Sequence, residues 1–191
     1  MVDTVEDVAL RLFEESGFDA VTVDDIAVEA QISSRTFYRY FAAKEDVLQV
    51  TIERRSEALR AMLATRPQDE PPVHSLSEAL RSVLSDEDTL AVRRWIGVVQ
   101  ATPSVLRGVI GGIQLKSQVV IAEFFSSRLG VAPDTLVPTM LAAAAGGVIM
   151  AAQTQWFFFD GDLATTVSES LEVLEYALAG KLEIGRHKHT E

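Results

Sequence analysis

Apolar residues recur every three or four positions along most of the chain, which is the spacing of amphipathic helices. The first example is the run from Val5 to Phe13, which stops before Gly17. We find no convincing strand, because no segment alternates apolar and polar residues, and no internal repeat is visible. The pattern predicts an all-α protein of about nine helices.

A proline-rich segment at 65–73 divides these helices into two groups. It contains three prolines and few apolar residues, which is typical of a linker. Pro103 and Pro133 instead fall in predicted first turns, where the missing amide hydrogen is harmless. The helices are predicted at about 5–16, 23–30, 34–41 and 44–64 before the linker, and at about 75–84, 86–101, 103–129, 133–159 and 163–179 after it.

Two short helices with a tight turn at Gln31 form the centre of the N-terminal group. Thr22 is predicted to cap the first helix together with Asp25, and Ser33 is predicted to cap the second. Two such helices, braced by a helix on each side, predict a helix–turn–helix whose second helix enters the major groove of DNA. Thr22 and Ser33 alone are equally well explained as caps.

The charge balance opposes nonspecific nucleic-acid binding but leaves one basic segment. The 191 residues include 17 basic and 28 acidic ones, a formal net charge of −11, whereas proteins that coat nucleic acid are usually basic. Residues 31–44 contain three basic residues and no acidic one, although residues 1–45 contain four basic and ten acidic. Positive charge is therefore concentrated on the predicted recognition helix.

The side chains of this segment suit contacts with a DNA duplex. Phe37 and Phe41, four residues apart, are expected to face inward, so Arg35, Tyr38 and Arg39 point outward. An arginine at this place can donate two hydrogen bonds to guanine O6 and N7, while its neighbours hold phosphates. The candidate DNA contacts are Thr22, Ser34, Arg35, Thr36, Tyr38, Arg39, Tyr40 and Lys44.

Residues 9–48 resemble the DNA-binding domain of the TetR family of transcriptional regulators. The resemblance rests on LF-x-x-x-GF at 12–18, T-V-x-x-I-A at 22–27, S-x-R-T-F-Y-R-Y-F at 33–41 and the Lys44-Glu45 pair. It implies an all-helical homodimer that binds a palindromic DNA operator, usually as a repressor. It also implies that a small molecule bound in the C-terminal domain usually releases the DNA. By matching positions, it assigns the contacts named above apart from Thr36.

Three departures from the family pattern have expected consequences. Gln31 stands where many members have glycine, and it is strained if its backbone is left-handed. Ala43 replaces a capping serine, at an expected cost of roughly 1 kcal/mol. No basic residue precedes Arg11, so either the start is truncated or a basic arm is lacking, and the salt dependence of DNA binding is expected to be modest.

The region after the linker more diffusely resembles TetR regulators that bind acyl-CoA-like ligands. The resemblance covers about 75–179 and rests on ATPSVL at 101–106, RLG at 128–130 and the alanine-rich helix. It implies an apolar pocket for an acyl-CoA or another apolar effector, although packing in the core is the commoner use of such residues. The candidate pocket residues are Trp95, Val99, Phe124, Met140, Gln153 and Trp156.

Small residues at 142–147 mark a place where another helix can approach closely. They favour a dimer interface formed with the helix at 163–179, and internal packing is the alternative. We interpret the apolar stretch 136–152 as a buried helix and not a membrane span, because it is short and half alanine and glycine.

The sequence contains no set of residues that is typical of an enzyme active site. Cysteine is absent, the histidines lie at the linker and in the tail, and no metal, phosphate-loop or dinucleotide motif is present. We expect no catalytic residue, metal or cofactor, and a cytoplasmic protein, since no secretory signal is visible. A helical ligand-binding or adaptor protein with weakened DNA binding is the alternative function.

The patterns and resemblances together divide the chain into five parts. These are a DNA-binding domain at 1–45, a connecting helix at 46–64, the linker at 65–73, a ligand-binding and dimerisation domain at 74–180, and a flexible tail at 181–191.

Overall fold

The computed structural model describes residues 1–85, 89–159 and 161–179, apart from the side chains of 89, 90 and 103–115, and over these residues it contains nine α-helices and no strand. This confirms the predicted all-α fold. The predicted tail at 181–191 and the start of the helix predicted at 86 lie outside the described residues. The helices are α1 Val2–Ser16, α2 Val23–Glu29, α3 Ser34–Tyr40, α4 Gln49–Thr65, α5 Pro72–Ser85, α6 Thr89–Ala101, α7 Pro103–Leu129, α8 Leu136–Phe158 and α9 Leu163–Leu178.

The ends of α1 and α2 follow from local chemistry. Gly17 ends α1 with a φ of 83°, and Phe18 folds back so that its ring centroid lies 4.8 Å from that of Phe13. The Thr22 hydroxyl accepts a hydrogen bond from the backbone of Asp25, whose carboxylate accepts one from the backbone of Thr22. The predicted capping box is therefore confirmed. The Thr22 hydroxyl also donates a hydrogen bond to the Asp25 carboxylate at 2.6 Å, and this bond, together with the one from the Thr22 amide, lowers the pKa of Asp25.

The turn between α2 and α3 is tight because Gln31 adopts a left-handed backbone, with a φ of 56°. This is the strained conformation expected if glycine is absent from the turn. Ser33 then caps α3, accepting a hydrogen bond from the amide of Thr36 at 3.0 Å. Phe37 and Phe41 face inward as predicted, with ring centroids 5.1 Å apart and almost no exposed surface.

The connection from α3 to α4 differs from the single helix expected at 44–64. A 3₁₀ helix, Lys44–Leu48, precedes α4. Ala43 has no capping side chain, but the Asp46 carboxylate accepts hydrogen bonds from the amides of Ala42 at 3.0 Å and Ala43 at 2.9 Å. The Asp46 carboxylate therefore supplies one half of a capping box, whereas the other half, a hydroxyl at position 43 that would accept from the helix amides, is missing.

The C-terminal helices form a bundle in which α5 packs on α9, α9 on α8, and α8 on α7. α4 packs against α5 and α7, and α6 packs against α1, so both join the bundle to the helix–turn–helix. α8 begins at Leu136 and not at Pro133, because Gly130 ends α7 with a φ of 65° and a turn brings the Thr135 amide to the Ala132 carbonyl.

Polar contacts hold the predicted linker against the bundle. Arg66 and Ser75 donate hydrogen bonds to the Glu70 carboxylate, from Nε at 2.8 Å and from Oγ at 2.6 Å. These bonds, led by the one from Arg66, lower the pKa of Glu70 to about 2. Arg128 on α7 donates to the carbonyls of Pro67 and Arg66. The linker is thus anchored at both ends.

Candidate DNA-binding surface and effector cavity

The outer face of α3 presents the side chains that the sequence predicts for DNA contact. Arg35, Tyr38, Arg39 and Tyr40 are all exposed, whereas Phe37 between them is fully buried. The inward phenylalanine fixes the rotation of this short helix, so the four outward residues share one exposed surface. We call Arg35, Tyr38, Arg39 and Tyr40 the recognition surface.

Two members of the recognition surface hold each other. The Arg39 guanidinium donates a hydrogen bond to the Tyr40 hydroxyl at 3.1 Å, and its central carbon lies 4.9 Å from the ring centroid. This pairing orders a long side chain that would otherwise be mobile, and it reduces the entropy lost when the arginine binds a phosphate.

The two candidate hydroxyls at the start of α3 are already engaged. Ser34 Oγ lies 2.5 Å from Asp24 Oδ1, and because an ionised carboxylate only accepts hydrogen bonds, the serine is the donor. Ser34 therefore offers only its lone pairs to a base edge. Thr36 is half-buried, and its hydroxyl lies 2.9 Å from that of Ser33.

Lys44 does not point outward as a free phosphate contact. Its ammonium donates hydrogen bonds to the carbonyls of Phe18 at 2.6 Å and Val21 at 2.8 Å. It also lies 4.4 Å from the centroid of the Phe18 ring. The side chain joins the turn between α1 and α2 to the 3₁₀ helix, so in this structure it stabilises the domain. Thr22 is likewise occupied by its capping role.

A cavity of about 210 Å³ lies among α4, α5, α6, α7 and α8. Of the six candidate pocket residues, Trp95, Val99 and Gln153 line it. Its apolar walls also include Leu80 and Ile121. A mostly apolar cavity with a few polar groups is the usual form of a small-molecule site.

The other three candidates lie elsewhere. Phe124 is buried beneath the Arg128 guanidinium, 5.0 Å from its ring centroid. Met140 is 58% exposed on α8. Trp156 is buried, but its indole N–H donates to the Gly161 carbonyl at 3.0 Å, and Arg93 lies 4.2 Å from its ring centroid. Apolar character alone does not separate core, surface and cavity positions.

One residue of α4, Ser56, could have indicated the cavity from the sequence. Ile52, Leu59 and Leu63 of α4 are buried on one stripe, and Ser56 interrupts that stripe. A small polar residue on a buried helix face needs a partner. Ser56 lines the cavity, as does its neighbour Arg55.

α6 links the cavity to the helix–turn–helix. The indole N–H of Trp95 donates to the Leu48 carbonyl at 3.1 Å, at the junction of the 3₁₀ helix and α4. Arg94, the next residue, donates to the Glu14 carboxylate of α1 at 2.6 Å. A displacement of α6 by a ligand would act on both contacts.

α8 is not the buried helix that the sequence predicts. Leu136 and Met140 are 72% and 58% exposed, and Ala143, Ala144 and Gly147 on the same stripe are also exposed. Among the described residues it is the one helix long and apolar enough to cross a membrane, with a mean hydropathy of 1.6 over a window that is 22% buried. An exposed apolar face of this kind is typical of an interaction site.

No group of three or more histidines, aspartates or glutamates in the described part of the chain is placed to hold a metal ion.

Two family models match the chain and together span most of it. Residues 7–51 match bacterial regulatory proteins of the tetR family. Residues 70–179 match the MftR C-terminal domain.

Two curated relatives are informative. TcmR of Streptomyces glaucescens, an HTH-type transcriptional regulator, is 42% identical over 76 residues, which are 40% of this chain and 34% of TcmR. MftR of Mycobacterium tuberculosis, described as a mycofactocin biosynthesis transcriptional regulator, is 29% identical over 176 residues, which are 87% of this chain and 83% of MftR. The chain thus matches about a third of the length of the first relative.

Solved structures share the fold. FadR of Thermus thermophilus, a TetR-family repressor in complex with lauroyl-CoA, is 20% identical with a TM-score of 0.61 over the whole of both chains. A TetR-family regulator from Syntrophomonas wolfei is 15% identical with a TM-score of 0.72, over 96% of this chain and 97% of that one. At these identities the likeness establishes the fold alone.

Proposed function

Because this chain belongs to the TetR family of bacterial transcriptional regulators, we propose that it is a homodimeric repressor that a small apolar molecule releases from a palindromic operator. The family consists of regulators and not enzymes, in agreement with the sequence. The proposed site of action is the cytoplasm, where bacterial DNA lies.

The recognition surface supports the proposed binding to an operator. Arg35 is proposed to read a guanine in the major groove, and Tyr38, Arg39 and Tyr40 are proposed to hold phosphates. Thr22 and Ser34 remain candidate contacts through their oxygen lone pairs. Thr36 and Lys44 are proposed to act indirectly, by positioning the helix–turn–helix.

The exposed apolar stripe of α8 supports the proposed homodimer. Its small residues let a second helix approach closely, and a two-fold operator requires two recognition helices. Neighbouring α9 adds Val173 and Tyr176, which are 53% and 55% exposed. A second copy of α8 and α9 would cover both helices and complete a four-helix interface.

The position of Trp95 is the observation that best supports the proposed release of DNA by a ligand. One edge of its indole bonds to Leu48, beside the helix–turn–helix, while its ring lines the cavity. A ligand that binds preferentially to a form with α6 displaced would change the spacing of the two recognition helices. Among the fold relatives, SmeT in complex with triclosan is consistent with a small apolar effector, whereas FadR holds lauroyl-CoA, in which an apolar chain is joined to a charged coenzyme.

The proposal is tested by fluorescence anisotropy on duplexes from the region upstream of the protein's own gene. We expect Arg35→Ala to weaken specific binding by about 1–3 kcal/mol and to relax the preference at one base pair. Arg60→Ala is the matched control, since Arg60 is exposed on α4 and paired with Glu57 and Glu123. Unchanged binding by Arg35→Ala would refute the assignment.

Dimerisation is tested by analytical ultracentrifugation. Ala144→Arg places a charge on the exposed stripe of α8 and is expected to give monomers with normal helix content. Ala64→Arg, at an exposed position of α4, should remain dimeric. A dimeric protein that retains its fold but binds no DNA specifically would instead support the alternative of a ligand-binding or adaptor protein.

A further inference from the structure

The polar groups of the cavity indicate the chemistry of its ligand. We propose that the effector is a compact, electrically neutral molecule with a planar apolar body and at least one hydroxyl or carbonyl group, as in hydroxylated aromatic compounds, and not a long-chain acyl-CoA. This inference rests on the proposed function, because it concerns the effector site of the regulator.

The first observation is an unsatisfied hydroxyl. Among the described side chains, Ser56 Oγ is the one buried oxygen or nitrogen without a hydrogen-bond partner. It lines the cavity from the apolar stripe of α4, beside Leu59. Since a buried hydroxyl without a partner is costly, a carbonyl or hydroxyl of a ligand that accepts its hydrogen bond gains affinity at this position.

The second observation is a set of side-chain amides without protein partners. Gln100 of α6, Gln118 of α7 and Gln153 of α8 line the cavity and are half-buried. Over residues 1–85, 89–159 and 161–179, none of their side-chain amides takes part in a hydrogen bond within the protein. Amides both donate and accept, so they suit neutral hydroxyl and carbonyl groups that face different walls.

Charge gives the third observation. No acidic residue is among the described lining residues, and the one charged side chain is Arg55. Its guanidinium already interacts with the Trp95 ring, 5.8 Å from the centroid. Arg55 keeps its positive charge, but its guanidinium is already engaged within the protein, and every other described lining side chain is uncharged. An anion placed against those uncharged groups would lose its hydration without a charged partner.

The size and shape of the cavity favour a small, flat ligand. Its volume of about 210 Å³ is smaller than the usual range of about 300–1,000 Å³ for small-molecule sites, which favours a compact ligand over an acyl chain with its coenzyme. Because the Trp95 N–H is committed to Leu48, the indole contributes apolar ring surface and no hydrogen-bond donor to the cavity wall. A flat aromatic ring suits packing against such a surface.

The test is isothermal titration calorimetry of the full-length protein with three probes. They are 2-naphthol, which is neutral, 2-naphthoate, which is a similar ring system with a negative charge, and palmitoyl-CoA. We expect 2-naphthol to bind once per chain and more tightly than either of the others. Tighter binding of 2-naphthoate or palmitoyl-CoA, or no binding of 2-naphthol, would overturn the proposal.

Variants connect the binding to the cavity. Ser56→Ala should weaken 2-naphthol binding about fivefold, because it removes one hydrogen bond to the ligand. Ser127→Ala is the matched control, on an exposed position of α7 outside the cavity. Equal binding by wild type and Ser56→Ala would contradict the role of that hydroxyl.

The experiments distinguish an error in the proposed ligand class from an error in the proposed repressor function. The calorimetry contains no DNA, so failure of the ligand class leaves operator binding unaffected. If the protein binds 2-naphthol as expected but binds no upstream duplex specifically, the repressor function is refuted, whereas the ligand site in the cavity is supported.

Discussion

Lys44 is a residue to which sequence and structure give different roles, and its substitution distinguishes them. The sequence predicts a phosphate contact, whereas the structure shows an ammonium bonded to the carbonyls of Phe18 and Val21. Lys44→Met keeps the apolar stem and removes the charge and the donors. The structural role predicts a loss of folding stability, and the phosphate role predicts a loss of salt-dependent DNA binding.

The expected magnitudes follow from the hydrogen bonds of the ammonium. A hydrogen bond from a charged group contributes about 1.5–3 kcal/mol to stability. Lys44 makes two such bonds but is only half-buried, so we expect Lys44→Met to lower the free energy of unfolding by about 2–3 kcal/mol. If Lys44 instead held a phosphate in each chain of a dimer, the substitution would reduce the salt slope of operator binding by about 1.8.

The assay pairs urea unfolding, at one fixed protein concentration, with operator anisotropy at several salt concentrations. Arg39→Gln is the matched control, because Arg39 is exposed and, among the described residues, its side chain bonds to Tyr40 alone. We expect Arg39→Gln to lower the salt slope with little loss of stability, the reverse of Lys44→Met. A Lys44→Met protein as stable as the wild type, with a salt slope reduced by about 1.8, would refute the structural role.

Three further predictions concern local contacts. The pKa of Glu70 is lowered from 4.5 to about 2, so its stabilisation is complete above pH 4.5 and lost as the pH falls toward 2; Glu70→Gln should flatten the fall of Tm between pH 5 and 3. Thr22→Ala should lower the free energy of unfolding by about 1 kcal/mol in urea titrations, since it removes the cap that binds Asp25. Asp24→Ala should strengthen operator binding at low salt and relax discrimination at the base facing Ser34, as measured on base-substituted duplexes.

Local chemistry determines the parts of the fold that the sequence predicts well. A capping residue and its partner lie three residues apart, as Thr22 and Asp25 do, so the residues that predict the start of a helix all lie within one turn. The inward rotation of Phe37 follows in the same way from helical spacing. The left-handed backbone of Gln31 is anticipated because the family pattern has glycine at that position.

Contacts between distant residues explain what the sequence could not predict. Lys44 finds its acceptors 23 and 26 residues earlier in the chain, and no spacing rule describes that pair. Phe124, Met140 and Trp156 are apolar like the cavity walls, but Phe124 and Trp156 are buried against arginines and Met140 lies on the surface. Whether an apolar side chain faces a neighbour, a void or another chain depends on tertiary packing.

The small number of outward cations limits how steeply DNA binding can depend on salt. Of the four basic residues at 1–45, Arg11 is paired with Glu29 at 2.6 Å and Lys44 is bonded internally. Arg35 and Arg39 are the outward cations of this domain within the described residues, which makes four in a dimer. Since each neutralised phosphate contributes about 0.9 to the slope of log affinity against log salt, we expect a slope no steeper than about −4. A slope near about −8 would require cations from outside the recognition surface and would refute this account of the interface.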